Sequence, residues 1–294
     1  MLECVTLDIR PVVRCSTLYP EVNYPMHIDE LITLTKRYIH ATTVKPVLSI
    51  PSDWAQGRTS YGGITGALVY TAIKEKVNPD RVLRSFSCNF IGPVTTDTPF
   101  DIKVDILRQG KNVTQVTGKA IQDGQVCVMV QACFGVARTS KIIVENMDRH
   151  DMTLPTKPSF MPQIPKLTPK FLRHLDLAKQ AGGLPFTGSK KSIIDGWMRF
   201  SKAPKEINDA HLIALIDGWP PTTLQMLKWP APTSTMSWNI EFIHPHQKFS
   251  PQDWFAYQVR TRQASDGYAN TEANIWDARG KLVAISRQTV AVFD

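Results

Sequence analysis

One charged residue closes an apolar run. His211 to Ile216 leads directly into Asp217-Gly218. A carboxylate at the end of such a run needs a reason to be buried. Held in the right geometry, it can take a proton from water. An Asp before a Gly also serves as an ordinary turn or cap, so position is what singles Asp217 out. Other chemistry-bearing residues carry weaker signals. His244 and His246 flank Pro245 at a spacing two metal ligands could use, but no Cys or carboxylate partners them. A loop after a strand is the plainer reading, and no metal is expected. Arg58 precedes a helix-like stretch and is a candidate for phosphate contact, although Gly57-Arg58 is not a phosphate-loop pattern. No GxSxG elbow occurs, which disfavours an α/β-hydrolase nucleophile.

These residues must be held by elements, and the pattern names them. Gly62 to Lys76 reads as a helix with Ile64, Leu68, Val69 and Ile73 on a broad apolar face. Its glycines, Gly62, Gly63 and Gly66, cost helix propensity and invite close packing by a sheet. Strands follow. Val82 to Ile91 puts Phe86, Cys88 and Phe90 on one face. Phe100 to Leu107 alternates, with Phe100, Ile102, Val104 and Ile106 inward. Val113 to Gln122 and Gln125 to Val136 are joined by the hairpin signal Asp123-Gly124.

The same order returns. After the helix-like stretch His211 to Leu227, interrupted by Pro220-Pro221, come strands at Thr235–Ile243, Trp254–Arg262, Tyr268–Trp276 and Leu282–Phe293. Turns at Ser265-Asp266-Gly267 and Arg279-Gly280 separate them. Phe90-Ile91-Gly92-Pro93 answers Phe242-Ile243-His244-Pro245, and Gly124 answers Gly280. One supersecondary unit is used twice. Between the copies, Thr139 to Lys170 holds Pro155, Pro158, Pro162, Pro165 and Pro169, which defeat helix and strand alike. The expected division is an arm at 1–25, a first unit at 26–138, a Pro-rich linker at 139–190 and a second unit at 191–294. A helix followed by long antiparallel strands is solved by curling the sheet around the helix. The fold class is therefore α+β, a double hotdog whose two sheets pair edge to edge.

The stretch Trp54-Ala55-Gln56-Gly57-Arg58-Thr59-Ser60-Tyr61-Gly62-Gly63 resembles the start of the central helix in thioesterase II-type acyl-CoA thioesterases. The Phe242 strand and the tail Leu282 to Gln288 also resemble that family, from about His27 onward. The resemblance implies hydrolysis of acyl-CoA thioesters by a water held between an Asp, a Thr or Ser, and a Gln of the second unit. Here these would be Asp217, near the start of the second helix, Thr235 and Gln288. Many relatives carry an Asp two residues after this Thr. Ser237 stands there in this chain, leaving Ser234 and Ser237 as alternative hydroxyls. Gly62 and Gly63 would bring backbone close to the substrate carbonyl, and Arg58 and Ser237 would contact substrate. CoA enters as part of the substrate, so no cofactor is expected. A homodimer or homotetramer is implied. Counting from Gly124 and Gly280, Gln288 falls opposite Ala132, so the first unit lacks the polar set. Alternatives on the same fold are an acyl-CoA hydratase or dehydratase, and a non-catalytic acyl-binding protein. The hydratase would need a His beside Asp217, and the nearest, His211, lies well over a turn away.

Bulk properties agree with a globular intracellular protein. Apolar residues make up 43% and charged residues 20% of the 294. No apolar run reaches the roughly 18 residues that suggest a membrane span, and Asp8, Arg10 and Arg14 interrupt any signal-peptide core. Five cysteines, odd in number and without CxxC spacing, fit a reducing compartment, expected to be the cytoplasm. The net charge of +8 fits an anionic ligand but identifies none. Basic residues are dispersed, so nucleic-acid binding is not expected.

Overall fold

In the computed structural model, residues 25–161, 164 and 168–293 are described. Most of the expected N-terminal arm, with Cys4 and Cys15, and Pro162 and Pro165 of the linker lie outside them. The chain opens with helix α1, Ile28–His40, whose side-chain cap is His27 accepting from the Asp29 amide. A small hairpin, β1 (Ala55–Gln56) and β2 (Thr59–Ser60), then leads into α2, Gly62–Lys74. Every residue of α2 from Gly63 to Ile73 is buried. A helix apolar on all sides belongs inside a core. Its two central threonines, Thr65 and Thr71, close their hydroxyls onto the carbonyls of Tyr61 and Ala67, so no polar group is stranded.

Four strands follow: β3 (Val82–Phe90), β4 (Asp101–Gln109), β5 (Val113–Gln122) and β6 (Gln125–Gly135). The second half adds β7 (Leu175–Ala181), β8 (Ile193–Phe200), α3 (Asp209–Ile216), β9 (Thr233–Phe242), β10 (Phe255–Ser265), β11 (Tyr268–Trp276) and β12 (Leu282–Val292). They form one ten-stranded sheet in the order β4-β5-β6-β3-β9-β12-β11-β10-β8-β7. Every pairing is antiparallel. The order β4-β5-β6-β3 is matched by β10-β11-β12-β9, so the duplicated unit is visible in the topology. The two copies join where β3 pairs with β9, and there Phe86 meets the Trp238 ring edge-on at 5.4 Å. The hairpins turn where the sequence signals them: Asp123-Gly124 and Asp266-Gly267 both hold positive φ at each residue, the requirement of a two-residue turn that matches strand twist.

Three expectations meet a different arrangement. The alternation of β4 does not carry through: Ile102 is buried but Ile106 is 46% exposed. A register shift between Ile106 and Arg108 sits in this edge strand. The stretch 139–190 contains β7, which extends the second sheet through β8. Strong proline signals just upstream hid the short alternation of Leu175 and Leu177. Upstream of β7 the connection crosses the outer face of the sheet. There His150 stands edge-on to Trp197 and Trp276 over a second, smaller apolar cluster. Finally, the helix-like stretch His211 to Leu227 is helical only to Ile216. Gly218, Pro220 and Pro221 stop it, and Thr222–Gln225 forms a single 3₁₀ turn.

The two helices lie side by side and run in opposite directions. Tyr70 of α2 donates to Asp209 at the start of α3, and Tyr61 at the start of α2 donates to the Ala214 carbonyl near the end of α3. The N-terminus of α2 thus faces the C-terminus of α3. That apposition brings residues of the two halves into one place.

Candidate active site

Asp217 terminates α3 as its C-cap residue. This differs from the expected position near the start of the second helix, because α3 begins earlier and breaks at Gly218. The carboxyl group is aimed out of α3 and at the start of α2. It accepts a hydrogen bond from the Gly63 backbone N–H. A Cβ on Gly62 would stand 2.9 Å from Asp217 Oδ2 and 3.0 Å from the Phe90 ring. Gly62 is therefore required for the approach. Tyr61, the α2 N-cap, supplies no side-chain cap; Asp217 takes one of the first-turn amides in its place. Of the two glycines, Gly62 lines the cavity described below and Gly63 does not.

The other Asp217 oxygen, Oδ1, accepts from Gln288 Nε2 at 2.9 Å. Gln288 Oε1 in turn receives the Thr235 hydroxyl at 3.4 Å, a long bond and the weaker of the two. Asp217, Gln288 and Thr235 thus form a chain across α3, β12 and β9. The carboxyl pKa is pushed up to about 7. Burial is the main cause, and the Gln288 amide and Gly63 N–H pull the other way by favouring the ionised form. The surroundings disfavour anions throughout: burial raises the Cys88 thiol and the Tyr61 and Tyr257 phenols, and the Asp217 charge adds to each.

Thr235 reaches this chain through a local irregularity. Along β9, Trp238, Ile240 and Phe242 face inward, and strict alternation would turn Thr235 outward. The pairing with β12 shifts between Thr289↔Ser237 and Val290↔Thr235, leaving Met236 unpaired. This β-bulge resets the parity and places Thr235 on the face of Gln288 and Trp238. Ser237, below the bulge, pairs with Thr289 on the opposite face.

A cavity of about 400 Å³ opens over the carboxylate. Gly62, Asp217, Thr235 and Gln288 line it, with the apolar side chains of Phe90, Ile91, Val94, Val128 and Trp219. Ser234, the other alternative hydroxyl, lines it as well; Ser237 does not. Arg58 is exposed at the tip of the β1–β2 hairpin, between Gln56 and Thr59, which line the cavity while Arg58 does not. Ser60 and Thr65, hydrogen-bonded to each other at 2.8 Å, also line it and were not singled out from sequence. Two hydroxyls flanking the start of an apolar helix were the available signal. His211 lies at the far end of α3 and bonds to Asp29 at 3.0 Å. His244 and His246 stack at 4.2 Å and bond the carbonyls of Leu83 and Val283, stapling strands. Among the described residues no group of three or more His, Cys, Asp or Glu is placed to hold a metal ion, and no helix is long and apolar enough to cross a membrane.

Comparison with known proteins gives a consistent answer for both halves. Residues 50–135 match the family model of the acyl-CoA thioesterase N-terminal domain, and residues 152–292 that of the acyl-CoA thioesterase C-terminal domain. The acyl-CoA thioesterase 2 of Haemophilus influenzae is 24% identical over 259 residues, 79% of this chain and 86% of that protein. A hot dog fold protein of unknown function from Alicyclobacillus acidocaldarius superposes with a TM-score of 0.73 at 22% identity, over 88% of this chain and 98% of that one. An acyl-CoA thioesterase II from Mycobacterium marinum gives a TM-score of 0.63 at 18% identity, over 80% and 90% respectively. The structural likenesses show the double hotdog fold.

Proposed function

This chain belongs to the acyl-CoA thioesterase family, and from that premise we propose that it hydrolyses acyl-CoA with a water activated by Asp217. The observation that carries the assignment is the buried Asp217 carboxyl, with its pKa of about 7, on the wall of a cavity lined by both polar and apolar side chains. A base is most effective when its pKa lies near the working pH. In this reading a water between Asp217 and the bound thioester gives its proton to the carboxylate. Its oxygen bonds to the carbonyl carbon, and the C=O pair moves onto oxygen. Collapse of that intermediate breaks the C–S bond, and the leaving CoA sulfur takes the proton from Asp217. The products are a free acid and CoA thiol, with no cofactor consumed.

Gln288 has a double role here. Its Nε2 holds Asp217, and its second N–H is available to the attacking water. Thr235, by donating to Gln288 Oε1, fixes which way round the amide stands. Positioning of this kind lowers the entropic part of the barrier. Gly62 acts by leaving room for the carboxylate. Arg58, at the hairpin tip beside the cavity mouth, remains the candidate for the phosphates of CoA.

Thiol release from a panel of acyl-CoAs by wild type and Asp217→Ala tests the assignment. Collapse of hydrolysis in a folded Asp217→Ala is expected, by roughly two to four orders of magnitude for loss of a general base. Full activity in the variant, or a trapped acyl-enzyme, would contradict direct hydrolysis by this carboxylate. The family resemblance also implies a homodimer or homotetramer, and β4 and β7 end the sheet as its two edges; light scattering of the intact chain measures that. A cytoplasmic location is the companion expectation, consistent with free thiols at Cys88, Cys127 and Cys133.

A further inference from the structure

The inner wall of the cavity is a tryptophan. Trp219 stands two residues beyond Asp217, lines the cavity and is buried. Its seat depends on a glycine of β8. A Cβ on Gly196 would stand 2.7 Å from Trp219 Cζ2 and 2.8 Å from Cη2. Tyr257 stacks on the indole at 6.2 Å, and Phe160 meets it edge-on at 5.0 Å. The buried indole N–H has no hydrogen-bond partner. A buried Trp N–H ordinarily finds one, so this indole is held by packing alone. Three other side chains that could limit an acyl chain are placed elsewhere. Trp229 and Met226 are exposed, and Trp238 is a core residue bonded to Ser286.

A second cavity, of about 450 Å³, is lined by Phe160. Phe160, Leu172, Leu175 and Leu177 give it an apolar wall, and Arg173 and Asp176 are among its polar lining. Two of these residues also touch the catalytic side. Phe160 is the ring packed against Trp219. Leu175 Cδ1 lies 2.8 Å from where a Cβ on Gly218 would be, next to Asp217. The partition between the two cavities is therefore Trp219 from one side, with Phe160 and Leu175 from the other.

We propose that Trp219 is the residue that sets the acyl-chain length this protein accepts, as a gate between the two cavities. The proposal rests on the acyl-thioester reading above. With the indole seated on Gly196, a chain entering past Asp217 ends against Trp219, and short to medium acyl groups are favoured. With the indole removed, the chain continues along the apolar wall of the second cavity. Each further methylene buried there is worth roughly fourfold in binding.

Two measurements on the intact chain test this. The first is the affinity of non-hydrolysable acyl-CoA thioethers, from acetyl through octanoyl to palmitoyl, by titration calorimetry. The second is the rate of thiol release from the matching thioesters. Wild type and Trp219→Ala are compared, with Phe160→Ala opening the partition from the other side should Trp219→Ala fail to fold. Wild-type affinity is expected to rise with length and then level or fall. In the variants the rise should continue through the longest chains, improving palmitoyl relative to octanoyl by more than tenfold. A chain-length profile of the same shape in wild type and in whichever variants fold would overturn the gate. Chain-length-dependent thioether binding without hydrolysis of any thioester would instead overturn the hydrolase reading and leave the gate standing.

Discussion

Gln288→Ala separates the two things Gln288 does. The side chain stabilises the ionised form of Asp217 through one hydrogen bond at 2.9 Å. A hydrogen bond to a charged group contributes about 1.5–3 kcal/mol. At about 1.36 kcal/mol per pKa unit, its loss raises Asp217 by roughly one to two units. From about 7, the carboxyl then titrates at roughly 8 to 9. A water can partly replace the amide in a cavity open to solvent, which favours the lower end of that range. At pH 7 the ionised fraction falls from about half to between roughly a tenth and a hundredth, so the rate drops about five- to fifty-fold from this cause alone. The assay is kcat/KM across pH, followed by loss of thioester absorbance so that no thiol reagent titrates with the enzyme. The wild-type rate should rise tenfold per unit on the acid side and level off above about pH 7. In Gln288→Ala the same limb should move to higher pH, with much of the rate recovered in alkaline buffer. A limb that stays in place while the plateau falls would mean Gln288 acts on water or substrate and not on Asp217. A limb near pH 4 in the wild type would refute the buried-base reading altogether.

Three further outcomes follow from the same geometry. Asp217→Asn should be more stable than wild type at pH 8. The folded-state pKa is raised from 3.8 to about 7, so stability from this group is present below about pH 4 and lost as pH rises through 7. The gain is on the order of 2 kcal/mol at pH 8 once weakened bonds from Gln288 and Gly63 are subtracted, and denaturant melts should show it shrinking and then reversing toward pH 4, where only the weakened bonds remain. Gly62→Ala should lower kcat at least tenfold with little change in melting temperature, because its Cβ displaces the carboxylate from its position; unchanged kcat would mean the displacement is harmless. Deleting Met236 should remove the bulge yet leave Thr235 opposite Val290 on the inner face, because Met236 is the extra residue. Activity should survive in a folded deletion variant, whereas Thr235→Val, which removes the hydroxyl bonded to Gln288, should lower it; full activity in Thr235→Val would count against a role for Thr235.

Much of the framework was legible in the chain. Alternating apolar residues named most strands, and Asp123-Gly124 and Asp266-Gly267 set hairpin registers locally. The internal repeat extended to single pairs: Phe86 faces Ala132 across β3 and β6, as Trp238 faces Gln288 across β9 and β12. That correspondence put Gln288 on an inward face and left its first-half counterpart apolar. Such features depend on residues near one another in sequence, so a linear reading reaches them. The strands β7 and β8 were not reached, because prolines dominated the composition just before them.

Two decisive features of the site depended on tertiary structure. The carboxylate of Asp217 meets the first turn of α2 because two helices from different halves run antiparallel, and no local pattern states which helix ends will meet. Thr235 faces inward because β9 inserts one extra residue against β12. Strand parity is a local property only while pairing is regular; a bulge is decided by the partner strand. Residue types and spacing along the chain pointed to Asp217, Thr235 and Gln288, and the pairing of the two halves brought them into one cavity.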